Sequence, residues 1–561
     1  MYIRTIFQET VKENNIPTKK LLRWLLQNTK NTKGQAIANI AIGLIDVTCQ
    51  LLWVIACKHA IDIATGEAEG SLATTGIAIG ALMVIEITMR AMSRWLHAVV
   101  GNKIRNRLRL KFFARLMKCD WLHLYKRHTG DLVNRLEGDV SNITTFVTEI
   151  IPATIVVSIQ LIASFALLFY MSPLLATSVI AVLPVCLLAS RFYVRKMRNY
   201  NREIRNSDSN IQAVLQESLQ HKEVIKSMEQ NESTEQRLES LQSTLHRQIS
   251  RRSKFSIGSF TLIQAGFAIG YLIAFMWGVV GLRDAVITYG TMAAYLQLVG
   301  LIQNPTMDLS RYIPSIASSL TAVERVCELE DIPLEQQGES IMFDKTAGVR
   351  FKDVTFSYEE GSRKILNSFS YDFSPESITA IVGETGAGKT TLLRLLIALT
   401  RPNQGTIELY NDKDIHRAST LTRGNIVYIP QGNSLISGTI RENLLMGNPD
   451  ATEEQMKEAL HTACADYVMN MPDGLDSYIA ESGGGVSEGQ AQRISVARSL
   501  LRPGSIMIFD EVTSALDEDT EQEMLKRLTE NKSGKTLIFV THRPAVIKHC
   551  TQVLKIERTK A

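Results

Sequence analysis

Gly383-Glu384-Thr385-Gly386-Ala387-Gly388-Lys389-Thr390-Thr391 decides the reading of this chain. Its fixed positions fit the phosphate-binding loop pattern G-x-x-x-x-G-K-[ST]. An apolar run, Ile378-Thr379-Ala380-Ile381-Val382, precedes it, and Leu392, Leu393, Leu395 and Leu396 follow at helical spacing. That order predicts strand, loop and helix, with backbone N–H groups of the turn and of the helix start converging on a phosphate. Lys389 then places a point charge on the β- and γ-phosphates, and Thr390 offers a hydroxyl to Mg²⁺. The expected ligands are therefore a nucleoside triphosphate and Mg²⁺, with Gly383 through Thr391 as the cradle.

Working outward, the 561 residues exceed one ordinary domain, and the two parts differ in composition. Before about position 320, long apolar runs carry few charges; the remainder reads as an α/β domain. The net charge of +4 gives no argument for nucleic acid as a partner. Seven cysteines are scattered without a C-x-x-C pair, which predicts reduced packing residues and no metal centre. No secretory signal pattern opens the chain. Six apolar runs, near 35–57, 72–99, 143–170, 173–195, 256–281 and 288–312, are long enough to cross a hydrocarbon core, which takes about twenty helical residues. The second and sixth are the most diluted by polar residues. Basic residues fill two long connections: Lys103, Arg105, Arg107, Arg109, Lys111, Arg115 and Lys118 in one, and Arg191, Arg195, Lys196, Arg198, Arg202 and Arg205 in the other. Both connections and both termini are thus expected on the cytoplasmic side. Ahead of the first span, Lys19 to Leu26 mixes basic and bulky apolar residues, as suits either an interfacial elbow helix or an ordinary surface helix.

Further motifs follow the loop in one order. Ser505-Ile506-Met507-Ile508-Phe509-Asp510-Glu511 reads as a buried strand ending in two carboxylates, Asp510 for the Mg²⁺ shell and Glu511 to orient and polarise the attacking water. Val486-Ser487-Glu488-Gly489-Gln490-Ala491-Gln492-Arg493 places Ser, Gly and Gln at a helix start, where an anion is favoured.

With these residues the chain resembles the ATP-binding cassette superfamily, whose signature commonly reads Leu-Ser-Gly-Gly-Gln; Val486 and Glu488 depart from its first and third positions. The resemblance implies further roles. Tyr358 is similar to the aromatic that stacks on adenine, although a tyrosine simply packed in the sheet would look the same. Gln431, in Ile429-Pro430-Gln431, resembles the glutamine that meets Mg²⁺ and water. Ser514-Ala515-Leu516-Asp517 resembles the loop linking two nucleotide sites, and His542 the switch histidine on the γ-phosphate. Because the signature (Ser487, Gly489, Gln490) of one cassette completes the phosphate site of another, the resemblance implies a dimer, either with a second copy, the favoured case, or with a related half-transporter.

The likeness extends over nearly the whole chain to exporters with the membrane domain first. It implies an α-helical six-span transmembrane domain followed by an α/β P-loop ATPase domain with a helical subdomain. The expected division is 1–33 for an N-terminal segment, 34–320 for the membrane domain, 321–348 for a linker and 349–561 for the nucleotide-binding domain. Thr129 through Asp139, and more loosely Glu217 through Lys226, look like coupling segments; Glu481-Ser482-Gly483 resembles the short segment that contacts them. The implied activity is ATP-driven export or flipping of an amphipathic substrate (lipid, peptide or drug) in a lipid bilayer, expected to be a bacterial inner membrane. An ATP-gated or regulatory membrane protein of the same fold, or one half of a heterodimer, remains the alternative. Within the spans, Asp46, Glu86 and Arg90 are costly in hydrocarbon and should face the bundle interior or water; Glu86 and Arg90 lie one helical turn apart. Gln264, Gln297, Gln303 and Asn304 add further polar positions, and Pro305 is an expected bend.

Overall fold

The computed structural model describes residues 18–29, 33–359, 363–480, 484–530 and 534–558, and for 18–19, 22, 179–195, 198 and 310 the backbone only. The segment Glu481-Ser482-Gly483 lies outside the described residues. Contacts divide the chain into two compact units: residues 1–112 with 133–328, and residues 113–132 with 329–561. Residues 113–132, part of the connection between the second and third expected spans, thus group with residues 329–561, which the linear division of the sequence does not anticipate.

The first unit is helical. Helix α1 (Thr18–Asn28) buries Leu21, Trp24 and Leu25 while Lys20 and Arg23 stay exposed, the stripe expected of an amphipathic helix. Trp24 stacks on Phe112 with ring centroids 6.0 Å apart, and Lys111 donates to Asn28 Oδ1 at 2.7 Å. The long helices are α2 (Lys33–Ala64), α3 (Leu72–Leu116), α5 (Thr129–Met171), α6 (Pro173–Gln220), α8 (Asn231–Arg283) and α9 (Tyr289–Glu330); α4 (Trp121–Tyr125) and α7 (Lys222–Ser227) are short. Among the described residues, four of them (α2, α3, α5 and α8) are long and apolar enough to cross a membrane. The second expected span is among these four; the sixth, in α9, is not. α9 carries Pro305 and Pro314 inside the helix together with Asp308 and Arg311. The fourth expected span falls in α6, where 179–195 is described by backbone alone.

Helices of 45, 48, 53 and 42 residues in α3, α6, α8 and α9 greatly exceed the roughly twenty that a bilayer needs. A core shared by α2, α5, α6, α8 and α9 gathers Val54, Leu168, Leu175, Tyr295 and Leu298 around Ala176, Ala274 and Ala294, small residues that let backbones approach. Ile77, Val84, Ile87, Ile162 and Leu262 remain exposed, an apolar exterior suited to lipid. α5 contains two π-helical stretches, Arg135–Asp139 and Phe146–Ile150. At the first, Asp139 pairs with Arg325 at 2.5 Å and Arg135 with Glu328 at 2.7 Å. The expected coupling residues 133–139 are thereby fixed to the last turns of α9.

Among its described residues the second unit holds three sheets. β1 (Gly348–Phe356), β2 (Leu366–Phe373), β4 (Gln404–Tyr410) and β5 (Ile415–Arg417) form an antiparallel sheet in the order β2-β1-β4-β5. The central sheet is parallel, ordered β11-β3-β10-β9-β6, from β3 (Ile378–Gly383), β6 (Ile426–Ile429), β9 (Ile506–Asp510), β10 (Thr536–Val540) and β11 (Gln552–Ile556). β9 and β10 are buried along their whole length, so they read as continuous apolar runs. Helix α10 (Lys389–Leu396) packs against one side of this sheet. On the other side the core joins a helical subdomain: β7 (Gly438–Thr439), α11 (Ile440–Leu445), α12 (Glu453–Thr462), β8 (Tyr478–Ile479) and α13 (Glu488–Leu500). Helices α14 (Glu518–Glu530) and α15 (Pro544–Lys548) complete the unit.

Candidate nucleotide site

Parallel pairing sets the site. Val540 lies opposite Ile381 on one side and Asp510 on the other, so β3, β9 and β10 end at one edge, and the loops leaving them meet there. From β3 comes the phosphate loop. Gly386 and Gly388 take positive φ, +80° and +104°, which only glycine adopts without strain; a Cβ on Gly386 would meet nothing, so this side of the loop is open to a ligand. A Cβ on Gly383 would collide with the carbonyl of Ile556 on the neighbouring strand. Lys389 Nζ donates to Gly383 O at 2.6 Å and lies 2.6 Å from His542 Nε2, so the ammonium and the imidazole share one point at the sheet edge.

Glu511 leaves β9 with φ of +50°, uncommon for a residue bearing a side chain and a conformation that concentrates at functional sites. The backbone holds it there: Glu511 N donates to Val540 O at 3.0 Å, and Ser514 N donates to Glu511 O at 3.1 Å. Its carboxylate accepts from Gln431 Nε2 at 2.8 Å and stands 3.7 Å from His542 Nε2. Lys389, Gln431, Glu511 and His542 are thus gathered into one cluster from four loops. Asp510 is nearly buried, and burial raises its pKa above the ordinary carboxylate range. The Tyr428 hydroxyl donates to its Oδ2 at 3.0 Å, a contact that no motif indicated. Thr390 is exposed at the start of α10, whereas Thr391 is buried with its hydroxyl 3.3 Å from that of Tyr358.

Tyr358 is half-buried, its ring edge-on to Phe356 at 5.0 Å. The signature residues start α13. Ser487 caps the helix by accepting from Gln490 N at 3.2 Å, while Ser487 N donates to Gln490 Oε1 at 2.9 Å, a reciprocal capping box. Gly489 has no room for a side chain, since a Cβ would sit 2.7 Å from Ala515 O. Glu488 is exposed in the first helical turn. Gly489 therefore lies against the 514–517 loop, and that loop is held from beneath by Arg543, which donates to Ser514 O at 3.0 Å, to Leu516 O at 3.2 Å and to the buried Glu521 at 3.0 Å. Sequence reasoning assigned Arg543 nothing, although its place beside His542 was a usable signal.

Among the coupling segments, the described contacts of the first connection with its own unit come from residues 115–126, which include α4, earlier than the 129–139 stretch singled out in the sequence. Asp120 caps α4 by accepting from Leu122 N and His123 N, and Trp121 and Tyr125 stack with centroids 4.7 Å apart. A capping Asp before aromatics four residues apart could have revealed it. In the membrane helices the expected pair of Glu86 and Arg90 forms. Arg90 Nε also lies 3.5 Å from Asp46, Gln50 donates to Asp46 at 3.0 Å, and Gln160 donates to Gln50 at 2.9 Å. Gln303 is spent on Phe267 O at 2.9 Å.

With this geometry in view, comparison with known proteins is direct. Residues 36–306 match the family described as the ABC transporter transmembrane region, and residues 366–514 match the ABC transporter family. An ATP-dependent lipid A-core flippase of Bordetella avium (strain 197N) is 27% identical over 488 residues, covering 86% of this chain and 82% of that protein. A putative multidrug export ATP-binding/permease protein of Staphylococcus aureus (strain NCTC 8325 / PS 47) is 26% identical over 551 residues, covering 96% and 95%. The fold is similar to that of a bacterial Atm1-family ABC exporter solved with ATP bound, with a TM-score of 0.81, 22% identity and coverage of 94% and 95%.

Proposed function

Because the chain belongs to the ATP-binding cassette transporters, with membrane region and cassette fused in one polypeptide, we propose that it hydrolyses ATP to export or flip an amphipathic lipid, peptide or drug by alternating access. The observation that carries this reading is the meeting of Lys389, Gln431, Glu511 and His542 at one sheet edge, in a chain that also holds long apolar helices. The names of the flippase and multidrug relatives support the amphipathic class of cargo.

Lys389 and the loop N–H groups take the β- and γ-phosphates, Tyr358 stacks on the base, and His542 contacts the γ-phosphate. Glu511, held by Gln431, orients and polarises the water that attacks in line. The hydroxyl of Thr390, the Asp510 carboxylate and the Gln431 amide oxygen are hard oxygen donors of the kind Mg²⁺ takes. Tyr428 donates to Oδ2 of Asp510 and fixes the carboxylate, which would hold such an ion through its other oxygen. When bound, the ion neutralises charge developing on the phosphoryl oxygens. Ser487, Gly489 and Gln490 complete the site of a second copy, so the working form is a homodimer with two ATP molecules sandwiched between cassettes. ATP favours cassette closure and hydrolysis removes that bias. The membrane domain over 34–320 has six spans, a linker follows over 321–348, and the cassette over 349–561 lies with both termini on the cytoplasmic side of a bacterial inner membrane.

The test is phosphate release by the chain purified alone in a lipid bilayer, against Glu511→Gln. Wild-type turnover should fall by about 10² or more in the variant while ATP binding persists. Equal turnover in both would remove Glu511 from its role, and a folded, ATP-binding wild type without turnover would replace the homodimer by a heterodimer.

A further inference from the structure

Three aromatic rings converge on Arg394, a residue in no nucleotide motif. Its guanidinium lies 4.8 Å from the ring centre of Trp121, 4.9 Å from that of Tyr125 and 6.0 Å from that of Tyr358, within the range of cation–π attraction. It also donates to the Tyr358 hydroxyl at 2.8 Å. One residue farther along each segment, Lys126 stands 3.4 Å from Glu359. All of these residues belong to the same compact unit. The connection is stitched to that unit elsewhere too: Asp120 N donates to Pro333 O and Glu335 N to Lys118 O, both at 2.9 Å, and Glu335 takes two bonds from Arg423.

Arg394 sits on α10, the helix that begins at the phosphate loop. A planar cation suits this place as a lysine would not, because it stacks on faces and donates from its edge at once. We propose that Arg394, itself enclosed by Trp121 and Tyr125, is a positioning residue that fixes the ring of Tyr358 in its base-stacking orientation. The proposal rests on the reading of Tyr358 as the base-stacking residue.

The experiment uses the full chain in lipid bilayers and measures KM for ATP, kcat and tryptophan emission. Arg394→Met, Tyr125→Leu and Tyr358→Phe should each raise KM for ATP about fivefold, and Arg394→Met should change kcat by less than twofold. Combining Arg394→Met with Tyr125→Leu should add little to either alone. The emission difference between wild type and Trp121→Phe should shift on adding ATP but not inorganic tripolyphosphate, which has no base. Unchanged KM in Arg394→Met, additive effects in the double variant, or an equal shift with tripolyphosphate would overturn the proposal. Tyr358→Ala separates the two readings. If it leaves ATP affinity unchanged, base stacking itself is wrong; if it weakens ATP while Tyr358→Phe is silent, stacking stands and the link through Arg394 falls.

Discussion

The strand-end edge of the cassette and the polar chain in the membrane helices both gather charged groups from distant parts of the sequence, yet they are built in opposite ways. At the cassette edge the backbone decides: Lys389, Glu511 and His542 leave adjacent parallel strands in fixed register, and Glu511 is held by two main-chain hydrogen bonds in a conformation it would not choose alone. In the membrane unit side chains decide. Arg90, Glu86, Asp46, Gln50 and Gln160 come from three helices and meet one another without any loop or turn to impose it. A site made by backbone can be recognised by a short motif, whereas a chain of side chains leaves only isolated polar letters in apolar runs.

The largest effect expected from this contrast is at Gly383. A Cβ there meets the carbonyl of Ile556, which belongs to the sheet and cannot swing aside, so Gly383→Ala should cost the cassette about 1–3 kcal/mol and displace the loop. Lower thermal stability together with weakened ATP binding would show this; wild-type ATP binding would break the claim that backbone geometry makes the site. Next comes Arg90→Gln, which leaves the Glu86 and Asp46 carboxylates facing each other in a medium of low polarity. A loss of about 2 kcal/mol is expected in detergent or bilayer unfolding, most of it recovered in the double variant Glu86→Gln/Arg90→Gln. If the double variant is as unstable as the single, the charges do not act as a pair. The smallest effect belongs to Gln160→Leu, at the end of the chain, where Gln50 keeps its bond to Asp46. About 0.6 kcal/mol is expected, and a larger loss would show that the polar chain is cooperative from end to end.

Much of the cassette was legible beforehand because its motifs name both the residue and the backbone that holds it. Gly388 needs positive φ, Gly489 needs space against Ala515 O, and Asp510 and Glu511 follow an apolar strand. What escaped notice was lateral. Tyr428 reaches Asp510 across 82 residues, Arg543 holds the 514–517 loop, and Trp121 and Tyr125 meet Arg394 from a connection that composition alone assigns to the membrane part. The coupling stretch read from Thr129 onward shows the same limit: its later residues pair with Arg325 and Glu328, while the aromatics that reach the cassette lie earlier.

The sequence by itself determined that this protein has a phosphate-loop motif between a strand and a helix, two adjacent carboxylates at a strand end, and apolar helices long enough for a bilayer, because those properties depend on local periodicity and on residues adjacent in the chain. Only the tertiary structure decided that residues 113–132 group with the cassette, that Arg394 is enclosed by three rings, and that Asp46 joins the pair made by Glu86 and Arg90. Such contacts join residues with no shared periodicity, and packing selects them only once the helices and strands that carry them are in place.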